Sequence, residues 1–199
     1  MTDEAEETYY TEERWQNWLS RVEEEDLDPE NEDSARLLLN LQDDAAIAVA
    51  KILSAYEDGR LDDEEAIEEL EGVRTIVLSE PDLDIEDPDV RADKEMLVDG
   101  VQTSLVCVFY AAEEYIVAGA AEEAPLEEYV DAAAAAETDD DMDAALGYLV
   151  QAGTRIIEGD ELDMTVVDDL EYGLVSEWIN GLDSLQSAMS DPEVVEEED

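Results

Sequence analysis

The fold is decided by the longest apolar stretch of the chain, residues 98–121, which reads VDGVQTSLVCVFYAAEEYIVAGAA. Asp99, Gln102, Glu113 and Glu114 interrupt it, so it falls short of the roughly 20 uninterrupted apolar residues that a membrane-spanning helix needs. The other positions are apolar on nearly every face, and such a helix belongs in the middle of a bundle. We therefore predict a buried central helix over about residues 90–120 and no association with a membrane.

Helical segments follow on both sides of this stretch, and no segment has a convincing strand pattern. Apolar residues recur at helical spacing over residues 11–25, 34–57, 62–78, 125–137, 139–158 and 163–189. Thr11 and Asp33 are candidate caps, and Asp62 with Glu65 has the pattern of a capping box. The connections are short, which is typical of neighbouring helices in a bundle. The sequence thus predicts an all-α fold, a single-domain bundle of about seven helices over residues 9–189.

The two acidic ends of the chain, residues 1–8 and 190–199, are expected to be disordered. Residues 163–189, just before the acidic C-terminal segment, carry the most regular apolar stripe of the chain, which predicts one helix over this range. Gly173 and Gly181 lie eight residues apart within it and suggest close approach to another helix.

The charge of the chain is extreme, with 61 acidic against 9 basic residues and a formal net charge of -52. Such charge favours disorder in ordinary buffer, but 45% of the residues are hydrophobic and can form a core. Salt at 1 M shortens the Debye length to about 3 Å and removes most of the repulsion. The acidity extends over the whole length, unlike an acidic tail or a block that mimics nucleic acid. We therefore expect a soluble protein of a halophilic cytoplasm, with an acidic surface that binds hydrated potassium loosely.

Most catalytic and ligand-binding signatures are missing from the sequence. With no histidine and one cysteine, Cys107, a zinc or carboxylate-bridged di-iron site is disfavoured. The acidic stretches 82–87 and 139–143 do not fit the calcium loop of an EF-hand, and phosphate loops and nucleophile elbows are absent. The nine cations are scattered, so no basic stripe for nucleic acid forms. We predict no catalytic residues, metal, cofactor or nucleic-acid partner, and favour a protein that is not an enzyme.

The polar residues that stand out most are Glu113 and Glu114, because their helical neighbours are apolar. A buried carboxylate needs a partner or stays protonated. Arg74 lies in a row with Leu70 and Leu78, next to an apolar face, and is the natural partner. Arg74 is predicted to pair with Glu113 or Glu114 in a buried ion pair between two helices or, alternatively, in a polar pocket. Exposure of both glutamates is the remaining alternative.

A second candidate site is the aromatic cluster near the start of the chain. Tryptophan, tyrosine and arginine dominate the energetics of protein interfaces, and six such residues occur together here: Tyr9, Tyr10, Arg14, Trp15, Trp18 and Arg21. They predict either a partner-binding surface or, as the simpler interpretation, a helix that packs its aromatic residues on the bundle.

Two segments, YYTEERWQNW (residues 9–18) and SARLLLNLQDD (residues 34–44), resemble an uncharacterised euryarchaeal and haloarchaeal family catalogued as a domain of unknown function. The resemblance implies no activity and no site residues. Two functions therefore stay open. One is a non-catalytic helical interaction or scaffold protein, with a protein partner or self-association. The other is an enzyme or small-ligand binder with a pocket around Arg74 and Glu113/Glu114, which a concave and partly apolar pocket there would favour.

Overall fold

The computed structural model describes residues 8–27 and 31–190 of the chain. Over these ranges the secondary structure is helical, in seven α-helices and one 3₁₀ helix. The elements are α1 (Glu12–Glu24), α2 (Glu32–Glu57), α3 (Asp63–Val77), α4 (Pro88–Ala118), α5 (Leu126–Thr138), α6 (Met142–Glu158), the 3₁₀ helix (Met164–Asp169) and α7 (Leu174–Ser190). The predicted all-α fold is confirmed. The predicted disordered ends lie outside the described residues, apart from Thr8 and Ser190.

Helix α4 is the centre of the fold, as its sequence predicts. It packs against α2, α3, α6 and α7, and side chains on different faces of it, such as Leu105 and Ala111, are fully buried. Cys107 is also fully buried, and burial raises the pKa of its thiol, so it behaves as a core residue. Among the residues that the structure describes, no helix is both long enough and apolar enough to cross a membrane.

Two polar side chains of α4 fasten the ends of neighbouring helices. The ammonium group of Lys94 is buried and donates to the carbonyl oxygens of Glu23 (2.7 Å) and Glu25 (2.8 Å) at the end of α1. The amide of Gln102 donates to the carbonyl oxygens of Val77 (2.8 Å) and Ser79 (2.7 Å) at the end of α3. The last carbonyls of a helix have no partner within it, so these contacts fix α1 and α3 along α4.

The helix starts agree with the sequence signals at two positions and differ at a third. The side chain of Thr11 accepts from the backbone N–H of Arg14, and Asp62 forms a complete capping box with Glu65. The predicted cap Asp33 lies instead inside the first turn of α2, which Asn31 caps by accepting from the backbone N–H of Asp33. Because Asn and Asp are similarly good caps, the sequence leaves the choice between neighbouring candidates open.

The single helix predicted for residues 163–189 is wrong in its first third. Residues 164–169 form the 3₁₀ helix, the chain then bends, and α7 begins at Leu174. The hydroxyl of Ser176 donates to the carbonyl oxygen of Gly173, and the carboxylate of Glu137 in α5 accepts from the backbone N–H of Val175. A cap supplied by a distant helix leaves no trace in the local apolar spacing, which continues across the bend.

Candidate functional site

Arg74 and Glu113 form an ion pair between α3 and α4. Nη1 of Arg74 lies 3.4 Å from Oε2 of Glu113, and its Nη2 lies 3.9 Å from Oε1 of Glu71 in the preceding turn. The side chain of Arg74 is 34% exposed and that of Glu113 is 43% exposed. The geometry is therefore that of a partly solvated pair above the core, and such pairs stabilise a fold by at most about 1 kcal/mol.

Glu114 takes no part in this pair. Successive residues of an α-helix are rotated by about 100°, so Glu113 faces α3 while Glu114 lies in a hollow between α4 and α6. Its side chain is exposed. Glu113 also lines this hollow, so the two adjacent glutamates share it, and Glu113 in addition reaches Arg74 on the α3 side.

An exposed ridge of α4 runs between α3 and α6, and we call it the α4 face. It consists of Val106, Tyr110, Glu113, Glu114 and Val117, which recur at helical spacing and are half-buried or exposed. Tyr110 is 46% exposed and Val117 is 72% exposed. Single exposed apolar residues are common on protein surfaces, whereas a contiguous set is typical of an interaction site.

The α4 face is bordered by two open hollows that share Tyr110. On the α3 side, a hollow of about 400 Å³ is lined by Arg74, Thr75, Leu78, Val106 and Tyr110. On the α6 side, a hollow of about 340 Å³ is lined by Tyr110, Glu113, Glu114, Val117, Asp143, Leu146, Gly147 and Val150. Both have the mixed lining of apolar and polar groups that binding sites use. The sequence singled out the charged residues here but not Tyr110 or the α6 side chains.

The six residues of the predicted partner surface near the start of the chain differ in how deeply they are buried. Tyr10 is 6% exposed and Trp15 is 1% exposed, and both belong to the main core. Tyr9 and Trp18 are half-buried against that core, and Arg14 and Arg21 are exposed. The guanidinium of Arg21 stacks on the Trp18 ring, 4.9 Å from its centroid. Only part of the set is therefore placed where a partner could touch it.

Asp44 of α2 organises this region, although it was not among the residues predicted from the sequence. Its carboxylate is 1% exposed and accepts from Nε of Arg14, with Oδ2 at 2.8 Å and Oδ1 at 3.1 Å, and from Nη2 of Arg14. Nε1 of Trp18 donates to the same carboxylate at 2.8 Å. Its burial could have been predicted from its position in the sequence, because Asp44 falls between Leu41 and Ala48 on the buried face of α2. The network fastens α1 to α2.

Two buried polar atoms beside this network lack a hydrogen-bond partner among the described residues, the Tyr10 hydroxyl and Nε1 of Trp15. Burial raises the pKa of the Tyr10 phenol, and the nearby Asp44 carboxylate raises it further. A phenol in this setting stays protonated and neutral.

Near the C-terminal end of α4, the phenol of Tyr115 contacts two carboxylates. The hydroxyl of Tyr115 lies 3.0 Å from Oε1 of Glu57, at the end of α2, and 3.0 Å from Oε2 of Glu158, at the end of α6. Burial, followed by these two carboxylates, raises the pKa of Tyr115. The contact ties together the ends of three helices. Across residues 8–27 and 31–190, no group of three or more acidic or cysteine side chains is arranged to hold a metal ion.

Comparison with curated proteins and with solved structures gives no match. A family model does match, over residues 8–198, and it covers α1 to α7 together with the Asp44 network and the α4 face. Its description is an uncharacterized protein conserved in archaea, DUF2150. The resemblance noted in residues 9–18 and 34–44 is thereby confirmed at the level of an archaeal family. The chain belongs to the DUF2150 family of uncharacterized proteins conserved in archaea.

Proposed function

We propose that this protein is a non-catalytic helical interaction protein, a scaffold that binds a protein partner through the α4 face. The observation that carries the proposal is the exposed apolar pair Tyr110 and Val117 on this face, where Tyr110 lies between two hollows and Val117 borders one of them. An isolated tyrosine would carry little weight, but tyrosine seated beside a groove is typical of interface hot spots. The absence of histidine from the sequence agrees with a role that needs no general base.

The aromatic segment near the start of the chain is a weaker candidate for the partner surface. Tyr10 and Trp15 are inside the core, and Arg14 is engaged with Asp44. Tyr9, Trp18 and Arg21 are the members that a partner could reach from solvent. We propose that these three residues make a secondary contact with the partner, and that Tyr110 and Val117 make the main one.

The interaction can be tested by using the protein to capture its partner from a native lysate at about 2 M KCl. Two matched tyrosine variants are compared with the wild type. Tyr110→Ser removes the ring at the centre of the α4 face. Tyr172→Ser removes a ring that is 91% exposed elsewhere on the surface. We expect a stoichiometric partner that the wild type and Tyr172→Ser capture equally and that Tyr110→Ser captures at least about tenfold less. A partner that Tyr110→Ser retains in full would rule out the α4 face as the binding surface.

A second candidate function is small-ligand binding around Arg74 and Glu113/Glu114. It is favoured by the concave, partly apolar hollow of about 400 Å³, whose lining includes Arg74, Thr75 and Tyr110. A guanidinium with a hydroxyl nearby suits a small organic anion. The hollow is open, whereas most small-ligand sites enclose their ligand, so we rank this function second. Native mass spectrometry after incubation with a metabolite extract tests it: an adduct that Arg74→Met loses would support it.

We also propose that the chain works in a halophilic cytoplasm, where its acidic surface binds hydrated potassium loosely. The support is the net charge of -52, which molar salt would screen to a range of about 3 Å. Only two lysines occur against seven arginines, and the carboxylates that replace lysine on the surface are strongly hydrated.

A further inference from the structure

We infer that the partner presents a cationic amphipathic helix, which lies in the hollow between α4 and α6 with its apolar stripe over Gly147. This inference rests on the proposed function and names the kind of partner that the surface fits. It draws on three properties of the hollow: apolar side chains in its lining, a backbone accessible to close approach, and a rim of carboxylates, two of which form no ion pair within the described parts of the chain.

The floor of the hollow is apolar. Leu146 and Val150 contribute from α6, and Val117 contributes from α4. Leu146 and Val150 are half-buried and Val117 is exposed, so covering them removes apolar surface from water, the term that drives most protein association. A helix that lays its apolar face in a groove is a common mode of recognition.

Gly147 makes the hollow concave. No atom from another part of the chain lies within 4 Å of the position that a Cβ would take there. A partner helix could therefore approach the α6 backbone closely, as helices do where a small residue faces them. On α4 the hollow is lined from Tyr110 to Val117, over about 10 Å, which matches about two turns of a bound helix.

Charge selects the occupant. Glu113, Glu114 and Asp143 line the hollow, and none of the described residues that line it is a cation. Glu113 already pairs with Arg74, but Glu114 and Asp143 form no ion pair within the described parts of the chain. A second copy of this chain, with its net charge of -52, would bring carboxylates onto carboxylates. Arginine or lysine flanking an apolar stripe would instead pair with the rim.

Binding to a defined peptide at about 2 M KCl tests the inference, because long-range attraction to the acidic surface is then screened and only contact pairs act. The probe is a fluorescent peptide of about 16 residues with leucines at helical spacing and arginines beside them. A scrambled peptide of the same composition and a version with glutamate in place of arginine serve as comparisons. Fluorescence anisotropy with the full chain gives each Kd.

Two glycine variants are the matched pair on the protein side. Gly147→Leu fills the hollow, and Gly72→Leu adds the same side chain to α3 outside the residues that line it. Both positions have open space for a side chain, and both substitutions favour the helix, which circular dichroism can verify. We expect saturable binding of the designed peptide, weakened about tenfold or more by Gly147→Leu and unchanged by Gly72→Leu.

Equal affinity for the scrambled peptide, or full affinity in Gly147→Leu, would overturn the inference. So would equal affinity for the glutamate peptide, because charge would then not select the occupant. Absence of binding by every peptide would also overturn it. The proposed function would still stand in these cases if a lysate partner depends on Tyr110, so the two failures can be told apart.

Discussion

Gly181 of α7 packs so closely against Ser104 of α4 that a Cβ atom at position 181 would overlap the Ser104 carbonyl oxygen. Backbone cannot move aside as a flexible side chain can. Gly181→Ala is therefore expected to destabilise the fold by about 2–3 kcal/mol, as overpacking of a core does. Thermal and denaturant unfolding at molar KCl, followed by circular dichroism, measures the change.

The control for Gly181→Ala is Gly72→Ala. No atom from elsewhere in the chain lies within 4 Å of a Cβ at position 72, so the better helix propensity of alanine should stabilise α3 by about 0.5–1 kcal/mol. Similar effects of the two substitutions would contradict the close approach of α7 to α4.

The fold was largely predictable because its main signal is local. Apolar spacing identified α1 to α6, and the continuous apolar character of residues 98–121 placed α4 in the centre. The spacing of Gly173 and Gly181 suggested helix contact, but only Gly181 faces another helix backbone. A Cβ at Gly173 would instead meet the Glu137 carboxylate. That contact comes from α5, and a pattern confined to one helix does not contain it.

The Arg14–Asp44 pair predicts an asymmetry between its two partners. Arg14→Met leaves a carboxylate that is 1% exposed with Trp18 as its remaining side-chain donor, and we expect a loss of about 3 kcal/mol. Asp44→Asn leaves an arginine that is 47% exposed and can be hydrated, so we expect about 1–2 kcal/mol. Denaturant unfolding of both variants gives the comparison. A larger loss in Asp44→Asn than in Arg14→Met would contradict the burial of this carboxylate.

The Arg74–Glu113 pair should contribute little to stability. Both side chains are more than a third exposed, and exposed ion pairs contribute little to stability. A double-mutant cycle with Arg74→Met and Glu113→Gln is therefore expected to give a coupling free energy of less than about 1 kcal/mol. Glu114→Gln is the matched control, since Glu114 is the adjacent carboxylate and does not contact Arg74. A coupling well above this value would indicate a buried and structural pair.

Asp183 of α7 predicts a pH dependence. Burial raises the pKa of its carboxyl above the ordinary value of 3.8, so the folded chain holds this proton more tightly than the unfolded chain. Its stabilising contribution is present below the ordinary pKa and is lost as the pH rises through the folded-state pKa. Asp183→Asn should therefore raise the Tm at about pH 7, by an amount that shrinks as the pH falls below about 4.

Asp168→Asn is the control for this experiment, because it also removes one negative charge but from an exposed position in the 3₁₀ helix. Relief of general repulsion would raise both melting temperatures equally. A specific effect of burial requires the larger gain in Asp183→Asn.

The net charge of -52 predicts that folding depends on salt. Helicity measured by circular dichroism should fall when KCl is lowered from about 2 M to about 0.1 M, since the Debye length grows from a few ångströms to about 10 Å. NaCl at the same ionic strength should restore the helicity as KCl does if screening is responsible. Helicity and Tm that do not change with salt would contradict salt-dependent folding.

The site was harder to predict than the fold for a physical reason. Carboxylates are so common in this chain that a functional one does not stand out in the sequence. Asp44 was therefore not predicted, although it is the most buried carboxylate among the residues that the structure describes. Arg74 and Glu113 could be paired because arginine is rare here and its neighbours are apolar. Tyr110 and Gly147 belong to a surface built from two helices, and their relation depends on how α4 and α6 pack.

The anchoring of α1 by Lys94 gives the protein a built-in chemical reporter. Amine-reactive reagents attack lysine only where its side chain is accessible and free of its hydrogen bonds. In the folded chain Lys94 is 7% exposed and holds two carbonyl oxygens at the end of α1, whereas Lys51 is half-buried. Mass spectrometry can compare the rate of modification of Lys94 with that of Lys51. The rate at Lys94 therefore measures how fast α1 detaches from the bundle, without any introduced label.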